Sequence, residues 1–101
     1  MAIFTNLVKQ ANVPEKFELS QNSPNPFKGK TSIKYSLPHK TKVIIMINDI
    51  HGQVLHKIVS PDQNAGTYEI EFYADGLPGG NYFYHIITDD FFKSREMELI
   101  K

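Results

Sequence analysis

The side chains that perform most enzymatic and metal chemistry are few in this 101-residue sequence, and they do not group. The sequence has no cysteine, and none of its histidines forms an H-x-H or H-x-x-x-H ligand pair. A metal site needs three or four ligands supported by further hydrogen bonds, so we expect solvated or packing histidines, no metal and no cofactor. The histidines are His39, His51, His56 and His85.

The carboxylates offer two candidate pairs for acid–base catalysis. Asp89 and Asp90 are adjacent, which is typical of turn residues that cap backbone amides. Glu69 and Glu71 would share the wet face of one strand, roughly 7 Å apart. An exposed sheet face has no pocket to shift their pKa values, and no nucleophile motif or phosphate-binding loop occurs. We therefore expect no catalytic residue and no enzyme.

Charge and hydropathy exclude two classes of partner. Eleven basic residues balance eleven acidic ones, so the sequence lacks the positive field used to bind nucleic acid or anionic lipid. The longest apolar run, residues 43–47, is far shorter than the about 20 residues that a membrane helix needs. A secretory signal has a basic region followed by an apolar segment, and residues 1–20 do not show this pattern. We expect neither nucleic-acid binding nor membrane insertion.

Alternation of apolar and polar residues begins at Phe17 and predicts a series of short strands. Residues 1–16 lack this pattern, so we interpret them as a linker or the end of a preceding region, and residues 17–101 as one domain. The segment 42–50 is apolar on both faces and predicts a central strand. Strands are predicted at 17–20, 31–37, 42–50, 54–59, 68–72, 82–88 and 91–100, with loops between them that include 60–66.

About seven short strands, frequent turn signals and no helical periodicity predict an all-β fold, an immunoglobulin-like antiparallel β-sandwich. A small Greek-key barrel is the alternative, because period-two patterns do not separate two packed sheets from one closed sheet. Tyr82 begins a late strand after a glycine-containing corner. This position resembles the tyrosine corner of immunoglobulin-like sandwiches, in which the hydroxyl bonds to upstream backbone.

Aromatic side chains must reach the surface in two places. Tyr82, Phe83 and Tyr84 are consecutive in a predicted strand, so at least one faces outward, as does either Phe91 or Phe92. We interpret them as cross-strand pairs that stabilise the sheet. Stacking on a sugar or a partner is the alternative, although the absence of tryptophan disfavours a sugar platform.

Nine consecutive residues, LSQNSPNPF at 19–27, closely resemble the opening of the type A C-terminal sorting domain of the type IX secretion system of Bacteroidetes. Further blocks of that family follow in order. Residues 31–38 resemble its T-x-I-x-Y-x-L-P strand, and residues 48–54 its D-x-x-G hairpin. Ser23 replaces a usual aromatic residue, and His51 a usual apolar one. Later matching blocks are 66–68, 76–77, 80–84 and 93–101.

This resemblance implies a non-catalytic domain carried at the C-terminus of a larger passenger protein. In the family, the outer-membrane secretion machinery recognises the domain and a sortase-like peptidase commonly removes it. The passenger, which reaches the periplasm by a separate signal, is then released or attached to the cell surface. Cleavage is expected in the segment before Phe17. The alternative is a carbohydrate-binding or adhesive β-sandwich with its own ligand.

Residue roles follow from the resemblance. The turn residues Pro24, Asn25 and Pro26 are expected to be rigid, with Phe27 anchored in the core, and direct contact of this turn with the machinery is the alternative. The last strand is expected to offer an edge to a partner. Its basic residues are the recognition candidates, with a merely solvated face as the alternative: Lys93, Arg95 and Lys101. The expected turn glycines are Gly52, Gly66 and Gly80, the last beside Tyr82.

Overall fold

Eight β-strands make up the regular structure of the computed structural model, which describes residues 2–6 and 13–101. For residues 2–6 the structure describes the backbone alone. No helix occurs within these described ranges. The strands are β1 Ala2–Asn6, β2 Glu18–Leu19, β3 Lys30–Leu37, β4 Thr41–Asn48, β5 Val54–Gln63, β6 Gly66–Tyr73, β7 Gly80–Thr88 and β8 Phe92–Leu99.

The strands form two four-stranded antiparallel sheets. One sheet has the order β1-β6-β3-β2 and the other has the order β5-β4-β7-β8. This arrangement confirms the predicted antiparallel β-sandwich, and it differs from a closed barrel because the two sheets remain separate ladders. β4 is an inner strand, as predicted, with Val43, Ile45 and Ile47 buried on one face and Ile44 and Met46 half-buried on the other.

The core lies between the sheets and follows directly from the period of two. In β3, β4, β6 and β7 every second side chain is buried, because successive residues of a strand point to opposite faces. Aromatic pairs add specific contacts, with the rings of Tyr35 and Tyr68 stacked at 5.3 Å. The buried apolar residues are Leu19, Phe27, Ile33, Tyr35, Leu37, Val43, Ile45, Ile47, Tyr68, Ile70, Phe72, Ala74, Tyr82, Tyr84, Ile86, Met97 and Leu99.

The predicted loop at 60–66 is wrong for most of its length, because β5 continues to Gln63. Pro61 lies within this strand. β5 is an edge strand, where a residue without an N–H group is tolerated on the open side. Pairing with β4 is also irregular between Thr41 and Val43, so the regular hydrogen bonding between the two strands is interrupted near the proline.

The N-terminal segment contains one strand. Residues 2–6 form β1 and pair with β6 from Ala2 opposite Tyr73 to Asn6 opposite Glu69. Residues 7–12, which belong to the same predicted linker, lie outside the described residues. The boundary between a passenger region and the domain stays a prediction.

Each end of the sandwich carries its own set of connections. We call one the motif end; it comprises residues 24–29, 49–53, 74–79 and 100–101. The opposite end comprises residues 38–40, 64–65 and 89–91. The antiparallel order of the strands dictates this division, since successive connections alternate between the two ends. Most of the sequence blocks that carry the family resemblance include connections of the motif end.

Candidate functional site

The turn before β3 is bonded to β8. The Phe27 amide donates to the Glu98 carbonyl at 2.9 Å, and the Ile100 amide donates to the Phe27 carbonyl at 2.8 Å. The Phe27 ring is 1% exposed and meets the Phe72 ring edge-on at 6.3 Å. Phe27 therefore lies in the core, and its backbone joins the turn to the C-terminal residues of the chain.

Asn25 makes a second bond to the same strand. Its Oδ1 atom accepts a hydrogen bond from the Glu98 amide at 2.9 Å. Pro24 and Pro26 are exposed, and both follow cis peptide bonds. The Pro24 carbonyl accepts from the Thr31 hydroxyl at 2.8 Å. The PNPF turn is thus held on both sides, by β3 and by β8, while the proline rings face solvent.

A buried polar network supports this turn, and the sequence analysis missed it. Asn22 is 3% exposed and donates through Nδ2 to the Thr31 hydroxyl at 3.0 Å. The Tyr84 hydroxyl donates to the Ser20 carbonyl at 2.6 Å and accepts from the Asn22 amide at 2.7 Å. Burial raises the pKa of Tyr84 to about 12, so its hydroxyl remains neutral and able to donate. Turn-rich composition marked this segment as a loop, but composition does not distinguish a buried asparagine from a solvated one.

The predicted tyrosine corner is present at Tyr82. Its hydroxyl donates to the Pro78 carbonyl at 2.5 Å, and Gly80 between them has φ +144°. Burial and the nearby Asp49 carboxylate raise the pKa of Tyr82. A second corner of the same form lies at the opposite end, where the Tyr68 hydroxyl donates to the Asn64 carbonyl at 2.6 Å. The shared Gly-x-Tyr spacing is the sequence signal that could have identified the second corner.

Asp49 fixes the connection between β4 and β5. Its Oδ1 atom accepts hydrogen bonds from the amides of His51 and Gln53, each at 2.9 Å. Gly52 has φ +85°, a conformation that residues with a Cβ atom rarely adopt. The D-x-x-G block is therefore a carboxylate-capped turn with a left-handed glycine.

A cavity of about 250 Å³ opens at the motif end between this turn and the tyrosine corner. Ile50, Leu55, Leu77 and Pro78 supply an apolar wall, and Asp49 supplies a carboxylate. Ile50 is 63% exposed, so the apolar surface continues out of the cavity. A space of this size and composition fits one apolar side chain of a partner.

The three basic recognition candidates do not lie together. Lys93 and Arg95 border a depression that Phe17 and Glu18 also line. Lys101 is exposed at the motif end, where its side chain lies beside Gly79. An extended strand rises about 3.3 Å per residue, so Lys93 and Lys101 are roughly 26 Å apart.

Arg95 has a structural contact that the sequence did not indicate. Its Nε atom donates to the Leu19 carbonyl at 2.6 Å, and the side chain is half-buried. This bond links β8 of one sheet to β2 of the other. Lys93 and Lys101 are exposed.

The outer edge of β8 is partly covered by the chain itself. The Gln21 side chain donates to the Glu96 carbonyl at 2.7 Å, and Asn25 and Phe27 bond to Glu98. Residues 21–27 thus protect the C-terminal half of this edge. An added partner strand would find unpaired backbone only nearer Ser94.

The other candidate side chains have local partners. His39 pairs with Asp90 at 3.3 Å, and the Glu71 carboxylate accepts from the Tyr73 hydroxyl at 2.8 Å. Among the described residues no three histidine, cysteine or carboxylate side chains converge as a metal site would require. The described part of the chain also contains no helix long and apolar enough to cross a membrane.

Comparison with known families gives one match that covers most of this structure. Residues 23–98 match the family described as "Secretion system C-terminal sorting domain". The matched range begins just before the PNPF turn and ends within β8. No curated protein matches the chain.

Proposed function

Because the chain belongs to the family of secretion system C-terminal sorting domains, we propose that its motif end is the surface that the type IX secretion machinery recognises. A domain of this family serves as a sorting signal within a longer precursor that is secreted or displayed at the cell surface. Its partners are accordingly the secretion machinery and a passenger protein. Within the domain, we assign the signal to the motif end.

One observation supports the motif end above all: four separate sequence blocks meet there, and two of them are hydrogen-bonded to each other. The PNPF turn bonds to β8, the Asp49 turn borders the same cavity as the Tyr82 corner, and Lys101 lies beside that corner. A binding surface made of turns held by hydrogen bonds loses little conformational entropy when a partner docks.

The cavity and its surroundings suggest how recognition works. An apolar side chain of the machinery enters beside Leu55 and Leu77, and the exposed Ile50 packs against the surface around it. Lys101 supplies a positive charge at the rim for a carboxylate of the partner. Lys93 and Arg95 lie toward the opposite half of β8, and we assign them no direct contact with this surface.

We further propose that the domain is cleaved from its passenger. A sortase-like peptidase cuts before Phe17, since Val13, Glu15 and Lys16 are exposed and lie outside every strand. The freed passenger is then released or attached to the surface. Cleavage at this point leaves strands β2 to β8 with the removed domain.

A secretion assay tests the proposal. A periplasm-targeted fluorescent protein followed by residues 2–101 is expressed in a Bacteroidetes host with and without a working type IX system. We expect extracellular fluorescence only in the host with the system. A folded fusion that stays in the periplasm of both hosts would contradict the sorting function, and binding of the isolated domain to a glycan array would then favour the carbohydrate-binding alternative.

Two matched pairs of variants locate the signal. Ile50→Ser is compared with Val59→Ser, because both side chains are at least half exposed, at 63% and 50%, and Val59 lies away from the motif end. Lys101→Ala is compared with Lys40→Ala, an exposed lysine of the opposite end. We expect reduced export for the first member of each pair, with unchanged thermal unfolding. Equal export within both pairs would place recognition elsewhere on the domain.

A further inference from the structure

The outer face of the sheet β5-β4-β7-β8 carries a continuous apolar row. Val59 lies opposite Ile44, Ile44 opposite Ile87, and Ile87 opposite Phe92, so one side chain from each strand contributes. Val59 is 50% and Phe92 64% exposed, while Ile44 and Ile87 are half-buried. We call these four residues the outer apolar row.

The other sheet shows that the fold does not require such a row. On its outer face, Lys34 of β3 lies opposite Glu69 of β6, and Ser36 lies opposite Thr67. Both sheets cover the same core with their inner faces. A contiguous apolar surface on only one of them is the kind of feature that marks an interaction site.

Polar atoms beside the row are already bonded to one another. The ring of His85 lies between Asn48 and Ser94; Nε2 bonds to the Asn48 Oδ1 atom, and Nδ1 bonds to the Ser94 hydroxyl at 2.5 Å. The same ring stacks on Phe92 with centroids 6.3 Å apart. Covering this part of the face would therefore leave these three polar groups with their partners, which lowers the cost of desolvation.

We propose that a second copy of this chain covers the outer apolar row. The two copies are related by a two-fold axis that lies between the faces and parallel to the strands. Such an axis places β5 of one copy over β8 of the other and β4 over β7. Val59 then meets Phe92, and Ile44 meets Ile87, so the row packs on itself. A two-fold axis across the strands would instead place each strand over its own copy, with β5 and β8 on opposite sides of the interface.

Charge complementarity favours the same arrangement. Lys57 lies on β5 one row from Val59, and Glu96 lies on β8 beyond Ser94. With β5 over β8, the lysine of each copy approaches the glutamate of the other. The net charge of the chain is zero, so no overall repulsion opposes association.

The size of the face sets the strength of the dimer. Four strands about 4.8 Å apart and eight residues long present roughly 500 Å², which is less than the about 800 Å² per partner of a stable interface. The dimer is accordingly weak and reversible. It forms where copies are concentrated and dissociates on dilution.

Disulfide trapping tests the geometry. The chain has no cysteine, so the double variant V59C/F92C introduces its only thiols. Positions 59 and 92 lie on the two outer strands of one sheet, roughly 14 Å apart, which is too far for a bond within one chain. We expect mild oxidation to convert this variant to a covalent dimer. The control I50C/F92C, which pairs position 92 with a residue off this face, should remain monomeric.

Charge reversal provides an independent readout. In sedimentation velocity at increasing concentration, we expect K57E and E96K each to weaken self-association about tenfold, and K57E/E96K to restore it. A wild-type chain that stays monomeric at about millimolar concentration would overturn the proposal, as would equal trapping of V59C/F92C and its control. The proposal would also be overturned if the outer apolar row were shielded from solvent only in a monomeric chain fused to its passenger. The occupant of the row would then be the passenger.

Discussion

The two ends of the sandwich hold their connections by different means. At the motif end, backbone and side-chain hydrogen bonds tie the PNPF turn to Glu98, and the Asp49 carboxylate caps the next turn. Its anchor is Phe27, which is buried in the core. Hydrogen bonding thus continues from the sheets into the connections of the motif end.

The opposite end relies more on exposed contacts. His39 pairs with Asp90 at 3.3 Å, and Lys40 pairs with Asp62 at 3.2 Å, with all four side chains at least half exposed. The Phe17 ring stacks on the half-buried Phe91 ring at 5.1 Å. Exposed ion pairs contribute little because water and salt screen them. The difference teaches that long-range hydrogen bonds and a buried anchor hold the end where most of the family's sequence blocks lie, whereas exposed pairs contribute more contacts at the other end.

The largest expected effect comes from removing one phenylalanine at each end. Phe27→Ala leaves a cavity in the core and should lower the free energy of unfolding by about 3–5 kcal/mol. Phe91→Ala removes a half-buried stacked ring and should cost about 1–2 kcal/mol. Urea unfolding of the two variants measures both values. Equal losses of unfolding free energy in the two variants would contradict the proposed difference between the ends.

A smaller effect is expected where the two ends are alike. Tyr82→Phe and Tyr68→Phe each remove one hydroxyl that donates to a carbonyl four residues earlier. Each substitution should cost about 1 kcal/mol, because only one hydrogen bond is lost and the ring remains. Thermal unfolding of the two variants is the measurement. A cost confined to Tyr82→Phe would show that the second corner has no energetic role.

The smallest effect is expected from the exposed ion pairs. Asp62→Asn removes the partner of Lys40, and we expect no measurable shift in the unfolding midpoint. Adding salt should likewise leave the wild-type midpoint nearly unchanged, since these pairs are already screened. Asp49→Asn serves as the comparison at the motif end. A midpoint that falls steeply with salt would assign the opposite end a larger electrostatic contribution.

Much of the fold could be predicted because a strand buried on one face must alternate. In β3 and β6 burial alternates strictly, and the buried positions are apolar except for Thr31 and Gly66. The predicted strand at 54–59 is shorter than β5, because Pro61 indicates a loop when only the neighbouring residues are taken into account. Its position at a sheet edge, which makes the proline tolerable, depends on the order of strands and therefore on tertiary structure.

The candidate site was predicted only in part. Tyr82 could be identified because its corner depends on local spacing. The bonds of Asn25 to Glu98 and of Arg95 to Leu19 could not, since they join residues 73 and 76 positions apart. Arg95 in particular has the sequence context of a solvated basic residue, and only the packing of β2 against β8 gives it a backbone partner.

Those long-range bonds also bear on how the chain folds. Residues 19–27 and their partners at the C-terminal end are separated by more than 70 positions of the chain. Contacts so distant in sequence carry a large entropic cost of loop closure, and folds dominated by them fold slowly. We expect the closure between these two segments to be a late step of folding. Until it occurs, the PNPF turn and β8 both remain accessible, so a factor that holds an unfolded precursor has two widely separated segments to bind.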